Sequence, residues 1–306
     1  MVWLFLAAFL QSACSSNHAR EPEDTAPVSL AAQLDSVRLE RLVARNLGTP
    51  ASLPESLIAV NMAAWRELPI GERIARWAEL FLQRNETSYL FGLKEGGYVA
   101  ESLLVQDYKQ DCVLFSYRCS ELARAASPRD AVLRALDTRF AGGRASRVVT
   151  ASGAVDYNDD AHLDYSLDII RSGIWGRDVT EEIGVAVRDS VGTNRYPAGS
   201  FSYIPTRSLR LERFADGDLL YFVFDESHPR GKKMRQEYGL VIGHQGIARR
   251  RDRDVDVIHA AISDLAGEYD GNRVVRIPLR TYLERVESFK GVIVTRLAAV
   301  DSGPGS

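Results

Sequence analysis

The stretch "QDCVLFSYRC", Gln110 to Cys119, holds two of the chain's three cysteines, and a thiol is a side chain able to do covalent chemistry. A disulfide between them is the first possibility to test. "DCVLFSYRCSELARAA" reads as a helix, with Asp111 as N-cap and Val113, Leu114, Tyr117, Leu122 and Ala125 at helical spacing. Seven residues at a rise of about 1.5 Å put the two Cα atoms about 10 Å apart, beyond the ~7 Å limit for a bridge. The two thiols therefore do not bond each other. Cys112 falls on the first helical turn, where unpaired backbone N–H groups and the macrodipole favour a thiolate. Cys119 falls in mid-helix and reads as packing. From helix position alone Cys112 is either a nucleophile or one more small buried hydrophobe.

A nucleophilic thiol needs a base, and the chain has five histidines. His18 lies in a polar stretch near the N-terminus, His162 in "DDAHLDY", and His228 in "DESHPRGKK", which reads as a turn-like polar loop. His244 and His259 differ: they sit inside "YGLVIGHQGIA" and "VDVIHAA", two short apolar segments that read as strands. Joined by the charged "RRRDRD", they form an antiparallel hairpin that would bring the imidazoles together on one sheet face. The loop reads as a solvated hairpin end, with binding of anionic wall polymers as the alternative. A lone strand histidine is ordinarily a satisfied, half-buried residue. Two on adjacent strands, with a cysteine at a helix start, raise the possibility of a base and its orienting partner. Zinc fits less well, because Cys112 lacks a close-spaced ligand partner and no HExxH occurs. No metal and no cofactor is expected.

The elements that must hold these residues come from a chain of 306 residues, 45% hydrophobic and 26% charged, enough for one large core or two smaller ones. A net charge of -3 gives no electrostatic reason to expect nucleic acid. The opening "MVWLFLAAFLQSAC" has an apolar run from Val2 to Leu10, too short to span a bilayer. Residues 1–14 therefore read as a signal peptide. Cys14, after Ser12 and Ala13, resembles a bacterial lipobox cysteine that becomes lipidated; plain secretion and a buried strand are the alternatives. Residues 15–28 are polar and contain proline, as a disordered tether does. The expected location is the bacterial cell envelope, lipid-anchored through Cys14 or periplasmic. Residues 29–300 form the remaining domain, α+β in class. Its expected parts are helices from Leu30 to Gln83, the Cys112 helix packed on a sheet, helix and loop walls from Arg144 to Arg210, and antiparallel strands from Asp218 to Leu297.

The ordered set "DC" at a helix start, "GDLLYFVF", "GHQGIA" and "VIHAA" resembles the NlpC-type cell-wall cysteine peptidases, a papain-like superfamily acting on peptidoglycan. "HLDYSLDIIRSGIWGRDVTEEIG", "SFSYIPTRSLRLERFADGDLLYF" and "VVRIPLRTYLERVESFKGVIVTRL" are more closely similar to its N-acetylmuramoyl-L-alanine amidase-like branch. The resemblance runs from about Ser29 to Leu297. It implies a papain-like NlpC-type fold in which Cys112 is the nucleophile, His244 the general base and His259 the residue that orients His244. It also implies peptidoglycan or muropeptide fragments as substrate, cut between the lactyl group of N-acetylmuramic acid and L-Ala. A stem-peptide endopeptidase and a non-catalytic wall-binding lipoprotein are the alternatives. Tyr89, Tyr165, Asp168 and Trp175 would line a substrate groove, or else serve as buried aromatics and caps. The chain departs from the family pattern at Val113 and Leu114, where small polar residues are usual, at Gly243, Gln245 and Ala261 around the two histidines, and at Asp164, where His is usual.

Overall fold

The first third of the chain is helical because apolar residues recur at helical spacing between efficient caps. In the computed structural model, which describes residues 29–163, 167–191 and 199–298, this region forms α1 (Ser36–Asn46), α2 (Glu55–Trp65) and α3 (Ile70–Arg84). The Asp35 carboxylate accepts the Arg38 N–H at the start of α1, and Asn85 takes a left-handed φ of 51° to end α3. Cys14, His18 and Tyr165 lie outside the described residues.

Two short parallel strands follow, β1 (Ser88–Tyr89) and β2 (Lys109–Gln110), and the chain then enters α4 (Cys112–Arg124) and α5 (Pro128–Arg139). Ser127 caps α5 with Pro128 at its first position. Every residue of α4 from Cys112 to Ala123 is buried. Val113, Phe115, Cys119 and Leu122 pack with Trp77 and Phe81 of α3, whereas Leu114 packs with Leu136 and Phe140 on the α5 side. A helix enclosed all round needs bulky apolar residues on every side, which accounts for Val113 and Leu114.

Charge is buried beside this helix as well. Asp107 takes Arg118 at 2.8 and 3.3 Å and the Leu53 N–H at 2.8 Å. Glu121 takes both arms of Arg139 at 2.8 Å, and Arg139 also donates to the Tyr157 hydroxyl at 3.2 Å. These paired bonds tie α4 to α5 and to the segment before β2.

Short elements α6 (Ala145–Val148), α7 (Leu167–Arg171), β3 (Arg177–Asp178) and α8 (Thr180–Ile183) lead into the sheet. It is built from β4 (Val187–Val191), β5 (Gly199–Pro205), β6 (Leu219–Phe224), β7 (Ile242–Arg251), β8 (Asp254–Ala261), β9 (Arg273–Pro278) and β10 (Phe289–Arg296). Their spatial order is β4-β5-β10-β6-β7-β8-β9, all antiparallel, with β3 also on β10. Helix α9 (Pro229–Tyr238) links β6 to β7, and α10 (Leu279–Arg285) links β9 to β10. Residues of α3 and α4 pack on one sheet face with Tyr221, Val223, Ile242, Ile247 and Ile258. On the other face Phe222, Phe224, Val257 and Ile277 pack with Leu279, Tyr282 and Leu283 of α10.

The α+β class with an antiparallel sheet is as expected, and three local expectations are corrected. The segment from Arg144 to Arg210 is more than helix and loop, since β4 and β5 extend the sheet beyond β10. "RRRDRD" is mostly strand: Arg249 to Arg251 end β7, Asp254 opens β8, and Asp252, at φ 51°, turns the chain. "DESHPRGKK" is turn only as far as His228, the N-cap of α9; Pro229 at the first position starts the helix, and Gly239 is left-handed at its end.

Candidate active site

The head of α4 is held by one carboxylate. Oδ1 of Asp111 accepts the Val113 and Leu114 N–H groups at 3.1 and 2.8 Å, and Oδ2 accepts the Gly92 N–H at 3.0 Å. Cys112 follows directly on the first turn, 6% exposed and reduced. Cys119 is fully buried, and burial pushes its thiol well above the usual range. It is packing, as its mid-helix place implies.

His244 owes its direction to a bulge. Phe222 of β6 lies opposite His244, and the next β6 residue, Val223, lies opposite Ile242, so Gly243 is an extra residue in β7. In a regular strand Ile242 and His244 would share a face. Instead Ile242 packs on the α4 side while His244 meets Phe222 and Tyr282, with ring centroids 5.7 and 5.9 Å away. Glycine is required there, because a Cβ at position 243 would lie 2.3 Å from the Phe224 ring and 2.6 Å from that of Phe289. Gly246 has a similar reason: its Cβ would come 2.4 Å from Val257 and 3.3 Å from the His259 Cβ. The glycines of "GHQG" thus make room for Phe224 and Phe289 on one side of His244 and for Val257 and His259 on the other.

The hairpin brings His244 and His259 together. Nε2 of His244 lies 2.8 Å from Nδ1 of His259, with the rings nearly perpendicular at 87°. Tyr282 packs on both rings and Tyr269 stands against His259. Burial first, then the charges of His259 and Arg230, hold His244 well below the ordinary imidazole range. Burial takes His259 down to about 3. At neutral pH both rings are thus uncharged, and a hydrogen bond between them requires one donor and one acceptor. With the proton on Nε2 of His244, its Nδ1 is left as a base. His259 then carries its own proton on Nε2, an atom that is buried without a hydrogen-bond partner among the described residues.

Both histidines line a cavity of about 360 Å³, together with His228, Arg230, Tyr269 and Tyr282. Cys112 is not part of its wall. The head of α4 is near it nonetheless, since α4 packs on β7 and β8 and the charge of Cys112 is felt at Tyr282. Tyr89 feels it as well, after burial, which is the main reason its hydroxyl lies far above the ordinary range. Tyr282 touches both imidazoles.

The other expected site residues scatter. Tyr89 is half-buried on β1 near Cys112, whereas Asp168 is half-buried on α7 and does not line the cavity. Trp175 is fully buried and stacked on Tyr117 at 4.1 Å, so it packs the core instead of lining a groove. His162 packs against Phe140 and Tyr157, its basicity lowered to about 4 by burial. Among the described residues no group of three His, Cys, Asp or Glu side chains is placed to hold a metal. No described helix is long and apolar enough to cross a membrane. Arg230, Tyr269 and Tyr282 are cavity residues that local sequence does not mark. A helix-start signal at His228-Pro229 was available for Arg230, and an amphipathic spacing for Tyr282.

No protein-family model matches the chain, and no curated protein does. Solved structures match it at low identity. A Legionella pneumophila protein, LPG0564, described under the family model DUF1460, is 16% identical with a TM-score of 0.55, over 80% of this chain and 94% of its own. An N-acetylmuramoyl-L-alanine amidase from Bacteroides uniformis is 19% identical with a TM-score of 0.53, over 75% and 99%. The chain shares their fold. A Bacteroides fragilis structure named as a xylanase also aligns, at 18% identity and a TM-score of 0.51 over 72% and 100%. Names differ across one fold, so the activity must be argued from the site.

Proposed function

We propose that the protein is a peptidoglycan amidase that hydrolyses the N-acetylmuramoyl-L-alanine bond through a cysteine acyl-enzyme. The observation that carries this reading is the His244–His259 pair, bonded at 2.8 Å in a cavity on strands β7 and β8, against which the helix that begins at Cys112 packs.

Each group has a role that its chemistry allows. Cys112 loses its proton to Nδ1 of His244, and the thiolate attacks the amide carbonyl. His259 holds His244 in that tautomer through the bond to Nε2 and stabilises the imidazolium that forms. The Cys112 backbone N–H, on the first turn of α4, donates to the developing oxyanion. His244 returns its proton to the leaving amine, the thioester forms, and water deprotonated by His244 hydrolyses it. The amidase-named solved structures support the choice of bond. On the same proposal the fold is papain-like of the NlpC type. Residues 1–14 are a signal, and a lipid on Cys14 holds the enzyme at the cell envelope.

Digestion of defined muropeptides, with product masses measured, tests the proposal. Release of an intact stem peptide is the expected result. Cleavage within the stem would make the protein an endopeptidase, and binding without cleavage would make it a wall-binding protein.

A further inference from the structure

We infer that the cavity holds a carbonyl oxygen of the substrate against Nε2 of His259, and that this hydrogen bond selects the tautomer in which His244 is a base. The inference deepens the amidase reading and rests on it. An uncharged imidazole pair joined by one hydrogen bond has two arrangements that carry the same two protons. In the productive one His259 is protonated on Nε2, its Nδ1 accepts from Nε2 of His244, and Nδ1 of His244 is bare. In the other, Nδ1 of His259 donates to Nε2 of His244, whose own proton then sits on Nδ1 and leaves no base. The 2.8 Å contact fits both. They differ at one further atom, Nε2 of His259, which is an N–H donor in the first and a bare acceptor in the second.

The fold leaves that atom without a partner to decide between them. His259 is 1% exposed, and its Nε2 is buried with no hydrogen-bond partner among the described residues. A backbone contact with Ala260 favours a proton on this ring without satisfying Nε2. The same residue lines the cavity of about 360 Å³. The two nitrogens of an imidazole point to different sides, so the bond from Nδ1 to His244 turns Nε2 away from the base. Tyr269 stands edge-on to the ring at 5.6 Å, half-buried and next to a mostly exposed turn, so a ligand has one surface side chain to displace. A ligand that pairs the buried donor should shift the ratio of the two arrangements about tenfold or more. Water and hydroxyls satisfy either arrangement, because they both donate and accept. A carbonyl oxygen only accepts, and so favours the productive one.

The wall suits a neutral carbonyl better than a carboxylate. Asp264 and Glu287 line the cavity and repel an anion. Arg285 is already bonded to Glu268 at 3.2 Å and to the Ala266 carbonyl at 2.8 Å, and Arg230 is engaged as well. Ile262, 48% exposed, and the rings of Tyr269 and Tyr282 put apolar surface in the same wall. A muropeptide carries neutral amide carbonyls in two places, the N-acetyl group of the sugar and the peptide bonds of the stem.

Nitrogen-15 NMR of the imidazoles tests this without turnover, because bare and protonated ring nitrogens resonate far apart. The Cys112→Ala protein, labelled at histidine, is titrated to saturation with N-acetylmuramoyl-L-alanyl-D-glutamate and with the analogue bearing a hydroxyl in place of the acetamido group. In the free protein a substantial share of His244 should carry its proton on Nδ1. The full ligand should protonate Nε2 of His259 and bare Nδ1 of His244, moving the ratio about tenfold or more. Loss of that shift with the analogue assigns the carbonyl to the sugar, and its retention assigns the carbonyl to the stem. An unchanged ratio with the full ligand, no binding of it, or a free protein already wholly in the productive arrangement would each overturn the inference. Turnover by the protein with Cys112 intact is scored separately. A tautomer shift without cleavage would keep the subsite and remove the amidase reading, whereas cleavage with no shift would do the reverse.

Discussion

At the scale of single residues, the site depends on two imidazoles kept uncharged by burial. His259→Ala leaves Nε2 of His244 without its partner and should cost activity by about 10²-fold or more, with His259→Asn retaining part because it can still accept. His244→Ala removes the base and should cost more, on the order of 10³-fold. Burial of His259 has a thermodynamic signature. Its folded value of about 3 lies below the ordinary 6.5, so between those values the unfolded chain binds a proton that the folded chain refuses. Its contribution to stability is therefore complete above pH 6.5 and is lost as pH falls toward 3. Unfolding free energies from urea denaturation across that window should drop by a few kcal/mol in the wild type and less in His259→Asn. Cys112, its Asp111 cap and the histidine hairpin were legible because each rests on short-range pattern. Arg230 and Tyr282 were not, because they reach the site from helices α9 and α10, whose placement depends on tertiary packing and not on local pattern.

At the scale of elements, α4 carries the thiol and two devices hold it. Asp111→Ala removes the side-chain bonds to Val113, Leu114 and Gly92 and should destabilise the fold by about 1–2 kcal/mol, read from chemical denaturation. Activity should fall more than stability predicts, since the same bonds fix the turn that bears Cys112. Arg139→Met leaves the fully buried Glu121 without its bidentate partner and should cost about 3–5 kcal/mol. Sequence pattern showed α4 as a helix but not as a helix enclosed on all sides. Val113 and Leu114 look anomalous beside the family pattern until α3, the sheet and α5 are seen around them. The charged "RRRDRD" is the exposed end of the β7–β8 hairpin, as its charge suggests, whereas the start of α9 is hidden in "HPRGKK" because a surface helix is charged as well.

At the scale of the whole molecule, one sheet has two packed faces. The body of α4 packs on one of them, and the bulge at Gly243 turns His244 toward Phe222 and Tyr282. The α+β class and the antiparallel sheet were legible in the short apolar segments after Asp218, while the strands β4 and β5 that widen the sheet were not. Burial in β5 falls on Phe201 and Ile204, three residues apart, which gives no two-residue alternation to read. The central claim is that Cys112 does the chemistry with the histidine pair, and alkylation tests it most directly. Purified protein is treated with substoichiometric iodoacetamide, and the fraction of Cys112 and Cys119 modified is measured by peptide mass spectrometry beside residual release of stem peptide from muropeptides. The account predicts that activity falls one-for-one with carbamidomethylation of Cys112 while Cys119 stays unmodified, and that Cys112→Ala is inactive from the start. Stem-peptide release that persists with Cys112 fully alkylated, or in Cys112→Ala, would contradict it.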